Sequence, residues 1–394
     1  MILRKSIMKE IRRNVAELCR ELVRTPSLSG EEERVGKLVE KRMREFGYDQ
    51  TNIDSMGNVV GTNKGSPKKP LILFEGHLDT VPPGERSSWR HDPFSGRICG
   101  DRISGRGTVD MKGAIAAMIL IPSIMKALGW KTMCRMTSAF VVLEEPCEGV
   151  GIEYLIAGMR SRPSAVVLGE PSNLCLAMGQ RGRVEIRIRA KGKASHSSMP
   201  ERGINAIYEM RKAIDGLEQI EKHLPSHDVL GPASITGFRI FSSPKEGNIV
   251  PEVCDLLVDR RTLPFETESK IIKEIKAVVP SKCEVGINEL TIETCAGKKR
   301  RIKQFFPGWI LEKDHWLAHL VGRAAEEVMG QPPGYTTWRF GTDGTYTAGV
   351  ASIPTIGYGP GDPEIAHMAN ENASISDIAT AALVYSFVAK SFAK

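Results

Sequence analysis

Apolar residues recur at helical spacing in several stretches of the chain. The first stretch predicts a helix over 6–24, because its apolar positions are Ile11, Val15, Leu18 and Leu22. It ends at Thr25-Pro26, and a glutamate-rich first turn after Ser29-Gly30 predicts the start of the next helix. The other predicted helices in this pattern are 31–46, 113–128 (kinked or shortened by Pro122) and 377–392.

Short apolar runs rich in β-branched residues lie between these helices. The predicted strands are 58–62, 71–74, 138–143, 165–168 and 354–358. Strands that alternate with helices are typical of an α/β layer. We therefore predict a mostly parallel sheet with helices on both faces.

The pattern changes from about Gly182. Apolar and charged residues alternate over 184–190, which predicts a strand with one solvated face. The elements that follow are predicted helices at 204–222 and 267–278 and predicted strands at 233–241, 253–262 and 283–294. The order β-α-β-β-α-β is that of a ferredoxin-like unit. We predict an α/β domain over 1–181 and 297–394, interrupted by an inserted α+β domain over 182–296.

Composition and charge exclude several classes of protein. The chain has 394 residues, of which 41% are hydrophobic and 26% charged, so disordered, collagen-like and coiled-coil chains are excluded. A formal net charge of +7 over this length does not by itself predict nucleic-acid binding. The basic run 298–303 is interpreted as a solvated connector in preference to an anion patch, because no aromatic residues interleave with it.

The cysteine spacing and the first residues of the chain indicate where in the cell the protein is found. The eight cysteines form no CxxC pair, which argues against a thiolate zinc site. The charged opening is unlike a signal peptide, and the longest uncharged stretch, 344–361, is rich in Gly and Pro and so unsuited to a membrane helix. These features predict a cytoplasmic protein with no membrane partner.

Acids and histidines follow the predicted strands of the α/β domain. They are His77 and Asp79 after 71–74, Asp110 before the 113–128 helix, Glu144 and Glu145 after 138–143, Glu170 after 165–168, and His367 after 354–358. Loops past the carboxyl ends of parallel strands are where open α/β sheets hold ligands. Five such loops predict one polar site at a single sheet edge.

The residue types in these loops suit hydrolysis at a pair of divalent metals. Imidazole nitrogens and carboxylate oxygens are good ligands for zinc, cobalt or manganese. One carboxylate can bridge two ions about 3.5–4 Å apart, and a water between them is activated. Another carboxylate must stay off the metals to carry the proton. Glu144 and Glu145 suit that division, because neighbouring residues at a strand end point in different directions.

The order of these motifs resembles the acetylornithine deacetylase / succinyl-diaminopimelate desuccinylase family of metal-dependent amidohydrolases, which includes carboxypeptidase G and aminoacylase relatives. The resemblance spans nearly the whole chain. The motifs that carry it are Pro26–Glu32, Gly76–Pro82, Gly105–Gly113, Glu144-Glu145, Gly169-Glu170-Pro171, Ala194-Ser195-His196 and Ala366–Glu371.

The resemblance assigns roles to the strand-end residues. It implies that His77 and Glu170 hold one metal, that Glu145 and His367 hold the other, and that Asp110 bridges them. Asp79 would orient His77, and Glu144 would be the general base and acid. The resemblance also implies a cis peptide bond between Asp110 and Met111. Many relatives have Asp before the two glutamates, where this chain has Leu143.

The inserted domain carries further matches. The resemblance implies that His196 donates a hydrogen bond to the developing oxyanion, often across a dimer interface. Asn248 and Arg261 fall where relatives contact the substrate, and Arg181 lies at the junction of the two domains. Two guanidinium groups would suit a substrate carboxylate, and Thr342 is a weaker candidate for the same role. The resemblance alone implies that the inserted domain 182–296 is a lid and dimerisation domain, so a homodimer is expected.

Together these features predict a hydrolase that cleaves the amide bond of an N-acyl amino acid or dipeptide-like compound. It would use two divalent metals, zinc above all, with cobalt or manganese as alternatives. The partner is a small, carboxylate-bearing substrate and not a nucleic acid. A metallo-exopeptidase (dipeptidase or aminopeptidase) on the same site is the first alternative. A non-catalytic binder of amino-acid-like ligands is the second, and Glu144 together with five ligands argues against it.

Overall fold

The computed structural model describes residues 5–65, 69–131, 134–245 and 247–392. The helices are α1 Lys5–Val23, α2 Glu33–Glu45, α3 Gly113–Ile119, α4 Ile121–Ala127, α5 Val150–Gly158, α6 Ala206–Glu221, α7 Glu268–Val278, α8 Trp316–Met329 and α9 Ile375–Ser391.

The strands are β1 Gln50–Ile53, β2 Val59–Asn63, β3 Leu71–His77, β4 Arg97–Cys99, β5 Arg102–Ser104, β6 Arg135–Val141, β7 Ala165–Leu168, β8 Leu176–Gln180, β9 Gly182–Lys191, β10 Ser195–His196, β11 Ser226–His227, β12 Gly231–Pro232, β13 Ser234–Ser243, β14 Ile249–Val250, β15 Val253–Thr262, β16 Glu284–Ile287, β17 Glu289–Glu293, β18 Lys299–Lys303, β19 Phe305–Phe306, β20 Trp309–Ile310, β21 Tyr335–Trp338, β22 Thr355–Gly357 and β23 Asn372–Ser374.

The large sheet has the strand order β1-β2-β6-β3-β7-β22-β8-β20, and β21 also pairs with β8. Its four central strands, β6, β3, β7 and β22, run parallel to one another. Every residue of β3 and β7 is buried, as expected for strands that are covered on both faces. The predicted α/β fold with a mostly parallel sheet is confirmed.

Helix α9 lies at the centre of the helical layer, where it packs against α1, α3, α4 and α8. The predicted 113–128 helix is broken at Leu120, and Pro122 stands in the first turn of α4, where its missing N–H costs nothing. Residues Thr108–Ala127 are apolar and long enough to cross a membrane by length and composition, but 89% of their most apolar window is buried inside the molecule. They are core helices of this layer.

The inserted unit has a five-stranded sheet of order β13-β15-β9-β16, with β19 also on β9. Helices α6 and α7 pack together, and α6 lies on β9, β13 and β15. The order β9-α6-β13-β15-α7-β16 is the predicted ferredoxin-like order. Its apolar residues form a core of their own, built around Val184, Ile186 and Ile188.

The predicted strand 283–294 is two strands. Of these two strands, only β16 pairs with β9. The chain leaves that sheet at Asn288, whose N–H donates to the Glu185 carbonyl at 2.8 Å. Strand β17 then pairs with β18, which is the basic run. Acidic residues of β17 face basic residues of β18, as in the pair Glu293–Lys299. The basic run is therefore a hairpin strand in which Lys299, Arg301 and Lys303 are paired with glutamates. The expected domain boundary at 296/297 lies inside the turn of this hairpin.

Gly182 lies where the chain passes from the large sheet to the inserted sheet. A Cβ atom there would lie 2.3 Å from Thr262 Oγ1, 2.5 Å from Gly308 N and 2.6 Å from the Phe306 carbonyl oxygen. Two of these atoms belong to the backbone, so the neighbours cannot move aside cheaply. Close approach of the two connections between the units therefore requires glycine at this position.

We expect Gly182→Ala to lower the free energy of unfolding by about 1–3 kcal/mol, because the added methyl group overpacks the junction. Urea or thermal denaturation measures the change. Gly286→Ala is the matched control on the inserted sheet, since nothing lies within 4 Å of a Cβ there. Equal stability of the two variants would contradict this account of the junction.

Candidate metal centre

The carboxylate of Asp110 lies between two histidines from distant segments of the chain. Its Oδ1 atom is 2.8 Å from His77 Nε2, and its Oδ2 atom is 3.0 Å from His367 Nε2. Asp110 follows the left-handed Gly107 in a kinked turn with extended dihedral angles (φ −122°, ψ 95°). The peptide bond after it is cis, as the resemblance implies. Each oxygen of one carboxylate thus faces a different imidazole, which is the arrangement that a bridging ligand requires.

The remaining predicted ligands, Glu170 and Glu145, lie close to the same two imidazoles. Glu170 Oε1 lies 3.6 Å from His77 Nε2, and Glu145 Oε2 lies 3.1 Å from His367 Nε2. His77, Asp110 and Glu145 have donor atoms within 4.8 Å of one another, and so do His77, Glu144 and Glu170. The structure therefore brings all five predicted ligands to the carboxyl edge of the parallel strands.

The electrostatics of these groups fit a divalent cation. Hydrogen bonds to Asp110 and Glu145 raise the pKa of His367 to about 10. Burial raises the pKa of Glu170 well above its ordinary value, and the charge of Asp110 adds to the effect. Protons on these groups relieve the repulsion among the carboxylates, and cations bound to the same atoms would have the same effect. Nitrogen and carboxylate donors at this spacing match the preferences of zinc, cobalt and manganese.

His77 is oriented by the backbone two residues further on. Its Nδ1 atom donates to the Asp79 carbonyl at 2.9 Å, while the Asp79 carboxylate lies 3.6 Å away. This bond fixes the ring and leaves Nε2 to face a metal. Asp79 therefore contacts the His77 ring through its main chain and, at longer range, through its carboxylate, which also has partners of its own.

The Asp79 carboxylate helps to hold the segment that follows β6. Leu143 has a left-handed backbone (φ 63°), which costs a non-glycine residue about 1–2 kcal/mol. Four N–H groups of this segment donate to side-chain oxygens. The acceptors are Asn58 Oδ1 for Val142 (3.0 Å), Glu32 Oε1 for Leu143 (3.3 Å), Asp79 Oδ1 for Glu144 (3.1 Å) and Asp79 Oδ2 for Glu145 (3.2 Å). These bonds stabilise the turn that points the two glutamates into the site.

Glu144 differs from its neighbour Glu145 in its surroundings. Its side chain is buried, and its Oε1 atom has no hydrogen-bond partner among the described residues. Burial raises the pKa of Glu144 well above its ordinary value. A buried carboxyl group with a free oxygen and a raised pKa suits a group that accepts and returns a proton.

A buried ion pair connects the segments that carry Asp110 and His367. Glu371 Oε1 accepts the N–H groups of Val109 (2.8 Å) and Asp110 (3.2 Å), and Oε2 pairs with Arg106 at 2.6 Å. Arg106 in turn donates to the His367 carbonyl at 3.0 Å. Both side chains are at most 2% exposed. Glu371 and Arg106 therefore position two ligand-bearing segments relative to each other.

Two further buried acids lie near the site, and the sequence-based prediction did not assign them a role. Glu75 stands two residues before His77 on β3 and therefore on the same face of the strand. Asp343 follows Thr342, and its Oδ1 atom accepts the Gly149 N–H. Burial raises the pKa of Asp343 to about 6 and that of Glu75 well above its ordinary value. The sequence signal that could have identified Glu75 is its two-residue spacing from His77, which places both side chains on one face of a strand.

Among the described residues, no hydrogen bond or ion pair joins the predicted substrate residues to the five predicted ligands. His196 and Asn248 are neighbours in the inserted unit, since Ser197 N–H donates to the Asn248 carbonyl at 2.8 Å. Arg181 donates to the Pro232 carbonyl and Arg261 pairs with Asp259. Thr342 is fully buried, and its hydroxyl group donates to Gln180 and accepts the Gly344 N–H.

Residues 73–391 match the family described as Peptidase family M20/M25/M40. The chain belongs to this family. It is 33% identical over 391 residues to the uncharacterized protein YgeY of Escherichia coli (strain K12), covering 98% of this chain and 96% of YgeY. It is also 27% identical to an acetylornithine deacetylase of Photorhabdus laumondii subsp. laumondii, covering 92% and 93% of the two chains. A succinyl-diaminopimelate desuccinylase of Methylocella silvestris is 25% identical and covers 98% and 100%.

Solved structures of the family share the fold. The aminopeptidase PepT from Bacillus cereus has a TM-score of 0.73 at 19% identity, with 97% and 99% of the two chains covered. YXEP of Bacillus subtilis, a dinuclear metal-binding peptidase, has a TM-score of 0.68 at 15% identity, with 97% and 98% covered. The resemblance seen in the sequence is confirmed, and the chain is a hydrolase of the family that acts on carbon–nitrogen bonds.

We expect Glu371→Gln to weaken zinc binding at least about tenfold, because the ligand segments lose the carboxylate that aligns them. Competition with a chromophoric chelator measures the affinity. Glu266→Gln is the matched control, since Glu266 also pairs with a buried arginine, Arg260, but in the inserted unit. Both variants should lose stability, and only Glu371→Gln should lose metal affinity. An unchanged affinity in Glu371→Gln would contradict the positioning role.

Proposed function

We propose that the protein hydrolyses the amide bond of an N-acyl amino acid at two divalent metal ions. The observation that carries the proposal is the Asp110 carboxylate, whose two oxygens face His77 and His367. His77 and Glu170 would hold one ion, Glu145 and His367 the other, and Asp110 both. Zinc is the proposed metal, with cobalt or manganese as alternatives. The names of the acetylornithine deacetylase and desuccinylase relatives support the substrate class.

Bound divalent ions would acidify a water molecule and polarise the scissile carbonyl group. Glu144 then accepts the proton of the attacking water on its free Oε1 atom. It returns that proton to the departing amine, so that the amide bond breaks to a carboxylate and an amine. Burial raises the pKa of Glu144, which makes it a stronger base for the first transfer and keeps the proton on the carboxyl group until the amine departs.

We propose His196 as the donor to the oxyanion. Its Nδ1 atom accepts the Ser198 N–H at 3.1 Å, which leaves the proton of a neutral ring on Nε2. The side chain is exposed on the inserted unit, so Nε2–H is free to donate to a substrate. A positioned donor of this kind contributes about 3–4 kcal/mol to the transition state.

Arginines near the junction of the two units suit a substrate carboxylate. Burial and the nearby charges of Arg261 and Arg339 lower the pKa of Arg181. Trp338 of β21 pairs in parallel with Gln180 of β8, so Arg339 and Arg181 leave adjacent strand ends. We propose that Arg181 and Arg261 bind the carboxylate, with Asn248 nearby. The engaged hydroxyl group of Thr342 makes it the weakest member of the proposed set.

We expect Glu144→Gln to lower kcat by about 10²–10⁴-fold and to leave two bound metal ions per chain, because the variant loses only the proton carrier. Steady-state kinetics with N-acetyl and N-succinyl amino acids, together with metal analysis, measure both quantities. Glu153→Gln, at an exposed acid on α5, is the control and should behave like the parent. A Glu144→Gln variant that keeps a near-normal rate would show that the base is misassigned.

Exhaustive chelation should abolish this activity, and zinc, cobalt or manganese should restore it, because the donor set has no other means of activating water. The same assay with dipeptides tests the substrate class. Cleavage of dipeptides with no cleavage of acyl amino acids would overturn the deacylase proposal in favour of an exopeptidase. Activity that survives metal removal would overturn the dimetal proposal itself.

We further propose a cytoplasmic homodimer formed through the inserted unit. Among the strands that the structure describes, β13 pairs only with β15, so it is an edge of its sheet. Phe238 and Ile240 on this edge are 49% and 52% exposed, and Tyr208 on α6 is 68% exposed. An exposed apolar edge strand is a natural surface for pairing with a second copy.

Light scattering should give a mass of twice 43.3 kDa for the parent protein. The double variant Phe238→Asp/Ile240→Asp should be monomeric, because like charges would face each other across the paired edges. Val350→Asp is the control, since Val350 is a 60% exposed apolar residue outside the inserted unit. A double variant that stays dimeric would place the interface elsewhere.

A further inference from the structure

A cleft with a volume of about 620 Å³ lies between the end of α1 and the segment 86–98. Its basic side chains are Arg20, Arg24, Arg86, Arg90, Arg97 and His91, and we call it the basic cleft. Among the described residues that line the cleft, Asp92 is the single acid. Five guanidinium groups against one carboxylate leave a net charge of +4 with His91 neutral. None of the proposed metal ligands lines the basic cleft, so it is a separate site.

The arginines of the basic cleft are not neutralised by the protein. Within the described ranges, none of the five has a carboxylate oxygen within 4 Å, whereas Arg42, Arg183 and Arg187 elsewhere do. Asp92 instead accepts the Phe94 N–H at 2.8 Å. The polar contacts that the cleft arginines make go to main-chain carbonyls, as in Arg24 to Ser95 (2.9 Å) and Arg86 to Trp89 (3.0 Å). Repulsion among five unpaired cations is unfavourable unless an anion relieves it.

The walls of the basic cleft are held in place by tertiary contacts. A Cβ atom on Gly96 would lie 3.0 Å from Arg20 Cγ, so the arginine stem packs directly on that glycine. Asn370 accepts the Arg90 N–H at 2.8 Å and donates to the Ser88 carbonyl at 3.0 Å. Trp89 is buried, and its ring N–H donates to the Pro83 carbonyl at 2.8 Å. The arginines therefore project from a preorganised surface, which lowers the entropy cost of binding.

We propose that the basic cleft binds a small ligand that carries two or more phosphate groups. A guanidinium group matches phosphate oxygens with two parallel hydrogen bonds, and the lining offers several such groups in one concave volume. A single-stranded nucleic acid is a poorer fit, because it needs exposed rings on which bases stack and Trp89 is buried. The ligand would sit beside Asn370, three residues from His367, and would not occupy the metal centre.

Calorimetric titration of the metal-loaded full chain with inorganic tripolyphosphate tests the proposal. We expect one site per chain whose affinity falls as sodium chloride is raised from 50 to 200 mM, because exposed charges are screened. The triple variant Arg86→Gln/Arg90→Gln/Arg97→Gln should bind roughly 30-fold more weakly, since each exposed charge contributes somewhat under 1 kcal/mol.

The matched control is Arg34→Gln/Arg160→Gln/Arg211→Gln, which removes the same charge from exposed positions outside the cleft. Neither triple variant changes a proposed metal ligand. The heat of metal chelation by tripolyphosphate is therefore the same in both and cancels when the two titrations are compared. Control binding equal to that of the parent supports the site. Equal losses in the two triple variants, or no binding to the parent, would overturn it. Binding of citrate as tight as that of tripolyphosphate would overturn the phosphate assignment, and tighter binding of an oligothymidylate would replace it with nucleic acid.

Discussion

Repulsion among carboxylates at one edge of the central sheet is the constraint on which the rest of the structure depends. Seven acids gather there against two histidines, and most of them are buried: Glu75, Asp79, Asp110, Glu144, Glu145, Glu170 and Asp343. Such a group is stable only when protons or cations compensate it and when the backbone holds each carboxylate in place. Rigid parallel strands and fully bonded strand ends meet the second condition. A pair of divalent cations would meet the first condition, and in the proposed reaction it would also activate the attacking water.

The sequence could predict that His77, Glu145 and Glu170 lie near one another, because parallel strands deliver their carboxyl ends to a common edge. The residues that position these ligands could not be predicted from the sequence. Glu371 and Arg106 are 265 positions apart, and their contact exists only after folding. The split of the predicted strand at Asn288 was also invisible, because an alternating run does not say which strand it pairs with. The same holds for the basic cleft, whose walls come from α1 and from a loop more than 60 positions later.

The loop from His367 to Glu371 links several of these features. Its histidine faces Asp110, its glutamate fixes the backbone of Asp110, and its asparagine fixes the wall of the basic cleft. One short irregular segment thus contacts the Asp110 side chain, the Asp110 backbone and the wall of the basic cleft. Loops that carry function in this way need as many tertiary bonds as a strand does, because they lack a ladder of their own.

The crowded junction at Gly182 bears on how such a protein could have been assembled. The chain enters the inserted unit at Gly182 and returns through β19, which pairs with β9 so that Phe306 faces Arg183. Entry and exit are therefore neighbours, and the segment between them contributes no strand to the large sheet. Its hairpin of β17 and β18 does place Ile292 in the core of the large domain. An ancestor that lacked the insertion would have needed only a tight turn at this point. Removal of the segment with a short connecting loop would give a minimal scaffold that keeps all the strand ends of the metal centre.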